Sequence, residues 1–311
     1  MSAAPLAAAS SRSLAELVML YYKSNLFKNR KQGTKLLYKR LLDQALMNWG
    51  RLPVRGFTPG QFEELKLIAQ DTPHATNNLL RILRRVFGFA VKLGWIAANP
   101  VSKPGLLQVR ARDTVWDKVT EERFLGAARP SLRLGFMLML YTAQRVSDVL
   151  EMTVNRVSEE DGRLYIALRQ QKTGTLLKLP VHENLEPLLR ERLAQGGSSL
   201  LLVPSPKGLP WPRRNFSRAW DKVMTKAGLA GEAQRRDLRR TAVVRMAEAG
   251  VTTPQIAAVT GHGIDYCQRI IDDYLPQRTE VALAGIKAWE AAPAPRPSTV
   301  VVQLATKRPP Q

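Results

Sequence analysis

Cysteine is nearly absent from this chain. Cys267 is the only one, so no disulfide framework can form within a single copy. That usage fits a reducing compartment. Histidine is scarce too: His74, His182 and His262 are scattered, which leaves no set of the usual His/Cys zinc type. The G-x-x-x-x-G-K-[ST] loop is missing, so ATP chemistry has no visible home. No apolar run approaches the length needed to span a membrane. The opening M-S-A-A-P-L-A-A-A-S is rich in alanine but has no basic leader. It reads as a disordered arm over residues 1–12 rather than a signal peptide.

Acidic residues are the other shortage. Lys plus Arg number 47 against 26 Asp plus Glu, a formal net charge of +21. Such an excess points to a polyanionic partner, with nucleic acid the default. The 311 residues are enough for two domains with real cores, and 45% hydrophobic content excludes a disordered chain.

Residues 13–97 read as helices. Ser13-x-x-Glu16 forms a capping-box pattern for the first. A second pattern runs from Thr34 to Trp49, and Thr58-Pro59 opens a third that reaches about Ala69. In the fourth, Leu79, Leu80, Leu83, Val86, Phe87, Ala90 and Val91 recur at helical steps. Arg81, Arg84 and Arg85 lie between them, which makes them candidates for contact with a nucleic-acid backbone. The prolines of A-N-P-V-S-K-P-G break this helix, and residues 98–115 read as an interdomain linker. A helix starts near Thr120, and Arg133 to Ala143 reads as a buried one. Arg163–Gln170 and Thr175–Leu179 read as strands flanking Q-K-T-G, with Leu200–Val203 a candidate third strand. From Arg213 the pattern is helical again, almost to Glu290. Residues 291–311 read as a proline-rich tail carrying the β-prone run Val300–Leu304.

Five dispersed residues have the chemistry to surround one phosphate and cut it. They are Arg145 in T-A-Q-R-V-S-D-V-L, Lys172 in Q-K-T-G, Arg239 in R-D-L-R-R-T, His262 in T-G-H and Tyr274 in D-D-Y-L-P. Two arginines can clamp non-bridging oxygens, a lysine and a histidine can donate protons, and a tyrosine hydroxyl can attack. Asp148 lies one helical turn beyond Arg145 and is placed to hold its guanidinium. Arg236 and Arg239 are three apart in an apolar-periodic helix and so share a face. Their neighbours Arg235 and Arg240 are candidates for backbone phosphates. Tyr266 competes with Tyr274 for the role of nucleophile, and Cys267 reads as structural.

In order, spacing and local context this set resembles the tyrosine recombinase (phage integrase) family. The resemblance covers about residues 115–290 and, more loosely, the helical segment before it. It implies that Arg145 and Arg239 are the two catalytic arginines and that Lys172 is the lysine of a hairpin turn. It further implies that His262 bonds the scissile phosphate and that Tyr274 is the nucleophile, Tyr266 being closer to His262 than the family pattern allows. Two positions depart from the family. Ala143 stands where Thr-Gly-x-Arg usually has glycine, which bears on turn geometry more than on chemistry. Arg236 stands where His-x-x-Arg has histidine; an arginine can bind phosphate but is a poor proton acceptor.

The expected fold is mainly α with a small antiparallel β-sheet. Two domains would form a C-clamp on DNA: a helical, SAM-like core-binding domain (13–97) and an α+β catalytic domain (116–290). The expected activity is site-specific cutting and rejoining of DNA through a 3′-phosphotyrosyl intermediate, with neither metal nor cofactor required. Integration and excision of a phage or mobile element is the leading role. A cellular recombinase that resolves replicon dimers and a catalytically silent DNA-binding relative are the alternatives. The implied partners are double-stranded DNA, further copies of the chain in a synaptic tetramer and accessory DNA-bending proteins, with no membrane. The implied location is cytoplasmic and nucleoid-associated.

Overall fold

The computed structural model describes residues 12–109, 114–196, 199–274 and 279–291. The N-terminal arm before Arg12, most of the C-terminal tail with Val300–Leu304, and the inner part of the expected linker lie outside the described residues. The chain divides into two compact units, Met1–Arg112 and Asp113–Gln311.

The first unit is helical. Helices α1 (Leu14–Lys23), α2 (Asn25–Lys28), α3 (Gln32–Trp49), α4 (Pro59–Ile68) and α5 (Pro73–Lys92) follow one another. Ser13 caps α1, its hydroxyl accepting the amide of Glu16 at 3.3 Å. Thr58 and Gln61 form the reciprocal capping box of α4, with Pro59 in its first turn, where a missing N–H costs nothing. Helix α5 follows its sequence pattern most closely. Leu79, Leu80, Leu83, Val86, Phe87 and Ala90 are buried, whereas Arg81, Arg84 and Arg85 stand exposed between them. The chain after α5 stays attached to this unit. Trp95 and Val101 join its core, Asn77 exchanges two hydrogen bonds with the backbone of Leu107 (2.8 and 2.9 Å), and Lys66 donates to the carbonyls of Pro104 and Gly105.

The second unit packs helices around an aromatic core and attaches a small sheet. Trp116, Phe124 from α6 (Lys118–Ala127), Phe136 from α7 (Pro130–Tyr141) and Trp220 from α10 (Arg213–Lys226) lie ring to ring. Their centroid separations run from 4.2 to 6.0 Å. Burying such rings dominates core energetics, at about 1.5–3 kcal/mol or more per side chain. Trp116 also fixes α11 (Asp237–Glu248): its amide donates to Thr241 Oγ1 (2.9 Å) and its indole to the carbonyl of Gln234 (3.0 Å). Helix α11 packs against α7, α12 (Thr253–Thr260) and α13 (Ile264–Tyr274), the last seated through buried Cys267 on Val243, Ile256 and Ala257. Helix α14 (Thr279–Glu290) follows.

The sheet is antiparallel, ordered β1 (Val157–Glu160), β2 (Arg163–Arg169), β3 (Leu176–Pro180), with Ile166 opposite both Val157 and Leu179. The third strand is therefore Val157–Glu160 and not Leu200–Val203, which contributes only an isolated bridge from Leu201 to Thr153. Short helices α8 (Val146–Val149) and α9 (Glu186–Ala194) complete the unit. One boundary differs in a way that matters for the site. Helix α11 begins at Asp237, so Arg236 sits at its N-cap rather than inside it, where Asp237 accepts the amide of Gln234 and closes the preceding turn.

Candidate active site

Four chain segments of the second unit meet at one place. The first is the turn after α7. Thr142 ends that helix, its hydroxyl bonding back to Leu138 O. Ala143 then takes a left-handed conformation (φ +52°), one that glycine adopts without strain. The turn delivers Arg145 to the N-cap of α8, where its carbonyl accepts the amides of Asp148 and Val149. Its guanidinium lies 3.7 Å from Asp148 Oδ2 and 3.4 Å from Gln170 Oε1. Asp148 is buried, and its other oxygen accepts the amide of Gln171 at 3.0 Å.

The second segment is the β2–β3 turn. Gln170 and Thr175 close it by an amide-to-carbonyl bond of 2.9 Å, Gly174 donates to Gln170 O at 2.8 Å, and Gly174 supplies the positive φ (+77°). Lys172 is exposed on this turn.

The third and fourth segments are α11 and the turn after α12. Gly261 ends α12 in the left-handed region (φ +65°), where an L side chain is strained. His262 follows and accepts the Nε–H of Arg239 on its Nε2 at 2.9 Å. Arg239 also donates to the carbonyl of Thr260 at 2.8 Å.

The electrostatics follow from crowding cations in a half-buried place. Arg239 is lowered to about 10, first by burial and then by Arg145, so it stays a cation at neutral pH. His262 is lowered to about 3, by burial first and then by Arg239, Arg145 and Lys172, so its ring is neutral. A neutral ring accepting on Nε2 carries its proton on Nδ1. Among the described residues neither that Nδ1 nor Arg239 Nη1 meets a hydrogen-bond acceptor, although both are buried. Unpaired buried donors cost about 1–3 kcal/mol each, and an anionic oxygen would satisfy them.

The structure thus brings together Arg145, Asp148, Arg239 and His262, with Lys172 close enough to act on the imidazole. Arg236 is not tied to the cluster. It is exposed, makes no hydrogen bond or ion pair among the described residues, and lines a cavity of about 400 Å³ with Trp220, Asp221 and Gln234. Arg235 and Arg240 already face carboxylates, Asp221 at 3.7 Å and Asp237 at 3.8 Å. Arg81, Arg84 and Arg85 belong to the other unit. Tyr274 is the last residue of α13, and its side chain lies outside the described residues. Tyr266 is placed: its half-exposed ring stands edge-on to His262 at 4.5 Å, beneath the guanidinium of Arg269.

Sequence reasoning missed Gln144 and Gln170. Both are buried, and an amide–amide bond of 2.7 Å joins them at the centre of the cluster. Gly261 leaves room for the pair, because a Cβ there would stand 2.6 Å from Gln170 Nε2.

A mostly helical unit with a small three-stranded antiparallel sheet matches the fold of the tyrosine recombinase catalytic domain. Residues 117–265 match the model of the phage integrase family. In that stretch and in fold the chain is similar to the tyrosine recombinases, enzymes that break and rejoin DNA strands. Among solved structures, a lambda integrase dimer bound to a COC′ core site is similar, with a TM-score of 0.74 and 19% identity over 86% of this chain and 79% of that one. A lambda integrase tetramer bound to a Holliday junction matches with a TM-score of 0.74 and 20% identity, at the same coverage of 86% and 79%. The Tn1549 transposon integrase (aa 82–397) in complex with circular intermediate DNA matches with a TM-score of 0.71 and 18% identity over 88% and 99%. No curated protein shows significant sequence similarity to the chain. No helix among the described residues is long and apolar enough to cross a membrane.

Proposed function

We propose that this chain is a site-specific recombinase that cuts and rejoins double-stranded DNA through a 3′-phosphotyrosyl intermediate. The observation that carries the reading is the pair of buried, unpaired donors, Arg239 Nη1 and His262 Nδ1, in a cluster shared with Arg145. A scissile phosphate between the arginines would satisfy those donors, and the guanidiniums would offset the charge that grows on its oxygens as attack proceeds. Tyr274 Oη attacks phosphorus, the P–O5′ bond breaks, and Lys172 gives the departing 5′ oxygen its proton. The tyrosyl proton passes to water or to a nearby acceptor. The new P–O bond conserves the energy of the old one, so a 5′-hydroxyl can reverse the step. When that hydroxyl belongs to a second duplex, the outcome is recombination.

Integration and excision of a phage or mobile element is the role we favour, acting on the nucleoid in the cytoplasm. The DNA bound in the similar structures supports it: a core site, a Holliday junction, and a transposon circular intermediate. By the same analogy the working form is a tetramer on two duplexes, with each protomer closing its helical unit (from residue 13) and its catalytic unit on DNA. Accessory bending proteins belong to this picture as further partners.

Covalent selection tests the reading. Nicked duplexes of randomised sequence are incubated with the protein, and DNA that survives denaturing washes is sequenced. Expected is a defined site, with the nucleotide adduct mapped to Tyr274 by peptide mass spectrometry. Salt-sensitive DNA binding without any adduct supports the silent DNA-binding alternative. An adduct on another residue overturns the assignment of the nucleophile.

A further inference from the structure

Gln170 is fully buried, and every polar group it carries is engaged. Its Nε2 donates to Gln144 Oε1 (2.7 Å) and to the carbonyl of Thr260 (2.8 Å). Its Oε1 accepts from Thr173 Oγ1 (2.7 Å) and from Arg145 Nη1 (3.4 Å). Its backbone closes the β2–β3 turn at both ends. The network fixes which amide atom is which. Gln144 Nε2 faces two carbonyls, Thr142 O and Val259 O, so its oxygen must face Gln170, and Gln170 must answer with nitrogen.

This side chain therefore joins the turns after α7 and α12 to the β2–β3 turn, and it reaches α11 through a shared carbonyl. The Thr260 carbonyl that it binds is the one that holds Arg239. Its oxygen meets Arg145, and its hydroxyl partner, Thr173, is the neighbour of Lys172. As a neutral acceptor it orients Arg145 without cancelling its charge, which a carboxylate would do. Gly261 makes the approach possible.

We propose that Gln170 is a positioning residue that locks the lysine-bearing turn to the phosphate clamp, so that one buried amide sets the distance between Lys172 and the arginines. The idea rests on the proposed role of Lys172 as proton donor. A turn held only by its backbone and by the bond from the Gln171 amide to Asp148 would let the lysine swing; the Gln170 side chain removes that freedom before DNA arrives.

The test uses the full chain and a duplex recovered by covalent selection, prepared either with the natural phosphodiester or with a 5′-bridging sulfur at the scissile phosphate. A thiolate leaves without a proton, so the sulfur substrate bypasses the lysine. Gln170→Met, which keeps volume and deletes the amide, should cleave the natural duplex about 10²-fold more slowly, the scale of a lost general acid. On the sulfur duplex its loss should be at least about tenfold smaller, the remainder coming from the lost contact with Arg145. Thr173→Val deletes a single hydroxyl at an exposed position that folding does not need, and should show the same selective defect at smaller size. Lys172→Ala separates the two readings. If it shows no selective defect, the role of Lys172 is wrong; if it does and Gln170→Met does not, the positioning idea is wrong. Equal loss on both substrates by Gln170→Met also overturns it. Amide exchange provides a readout that does not depend on catalysis. The Gln171 and Gly174 amides should exchange at least about tenfold faster in Gln170→Met while α10 is unchanged, and unchanged exchange at both overturns the proposal.

Discussion

The Nε–H of Arg239 points at His262 Nε2 across 2.9 Å, so an arginine and a histidine share one hydrogen bond in a site crowded with cations. The bond requires a neutral imidazole, and burial together with Arg239, Arg145 and Lys172 lowers its protonation to about pH 3. In the free protein the His262 ring should therefore stay neutral well below its ordinary value of 6.5. The unfolded chain binds this proton near pH 6.5 and the folded one near 3, so the unfolded state carries more protons between those values. The stability contribution is complete above about pH 6.5 and declines as pH falls toward 3. Nitrogen NMR of the labelled ring reads this directly. A titration midpoint near 6.5 in the folded protein would show that the cation cluster is not formed in solution. Phosphate bound between the arginines offsets their charge, so the midpoint should rise on DNA.

The nucleophile assignment divides two tyrosines. Tyr266 is the one whose ring touches His262, whereas Tyr274 ends the same helix. Tyr274→Phe removes one oxygen and no charge, so it should keep DNA affinity and lose all covalent adduct. Tyr266→Phe preserves the ring against His262 and should form adduct at a rate within about tenfold of wild type, since only a peripheral hydroxyl is removed. Denaturing gels on the selected duplex decide the matter. Adduct formed by Tyr274→Phe, or its disappearance in Tyr266→Phe, would move the nucleophile to Tyr266.

Much of this site was readable because its chemistry is carried by short local motifs. T-A-Q-R, Q-K-T-G and T-G-H each place one functional group on one turn, and turn residues announce themselves. Asp148 was readable for the same reason, being one helical turn from Arg145. What escaped is tertiary. Gln144 and Gln170 lie 26 residues apart, and nothing local distinguishes a buried amide pair from two exposed glutamines. Strand β1 escaped because only Val157 of V-S-E-E is even partly buried, so an exposed edge strand leaves no alternation to read. Arg236 was placed inside a helix because the periodicity continues through it, while the actual start is set by Asp237 bonding back to Gln234.

Two glycines with similar backbones should respond differently to a methyl group. Gly174 (φ +77°) has open space where a Cβ would stand, so Gly174→Ala should cost only the left-handed penalty, about 1–2 kcal/mol. Gly261 (φ +65°) has the Gln170 amide at 2.6 Å from the same point. Gly261→Ala should add the loss of buried hydrogen bonds, about 1–3 kcal/mol more. Urea midpoints measure both. Equal losses would mean that the amide yields without consequence and that the buried pair is not rigid.

Arg236 is the position where family chemistry and this chain diverge. It is exposed, and its replacement should alter stability by less than about 0.5 kcal/mol. Its effect should appear in cleavage. Arg236→Ala should slow adduct formation at saturating DNA, because a phosphate donor is removed. Arg236→His should keep substantial activity by restoring the commoner group. Equal single-turnover rates for wild type and Arg236→Ala would place the residue outside the working site.

Charge makes the last prediction. At +21 the chain should bind DNA with an affinity that falls steeply as salt rises, since each lysine or arginine on a phosphate releases condensed counterions. Arg81, Arg84 and Arg85 stand exposed on α5 above a buried apolar face, placed to reach a backbone without disturbing the core. Replacing all three by glutamine should lower the slope of log affinity against log salt by up to about 3, one unit for each phosphate no longer neutralised. Arg235→Gln should change the slope less, because Arg235 is held by Asp221 and by Ser217 Oγ. Fluorescence anisotropy across a salt series gives all three slopes. A wild-type slope near zero would exclude a basic clamp around DNA. A triple variant with the wild-type slope would leave α5 facing solvent rather than phosphate.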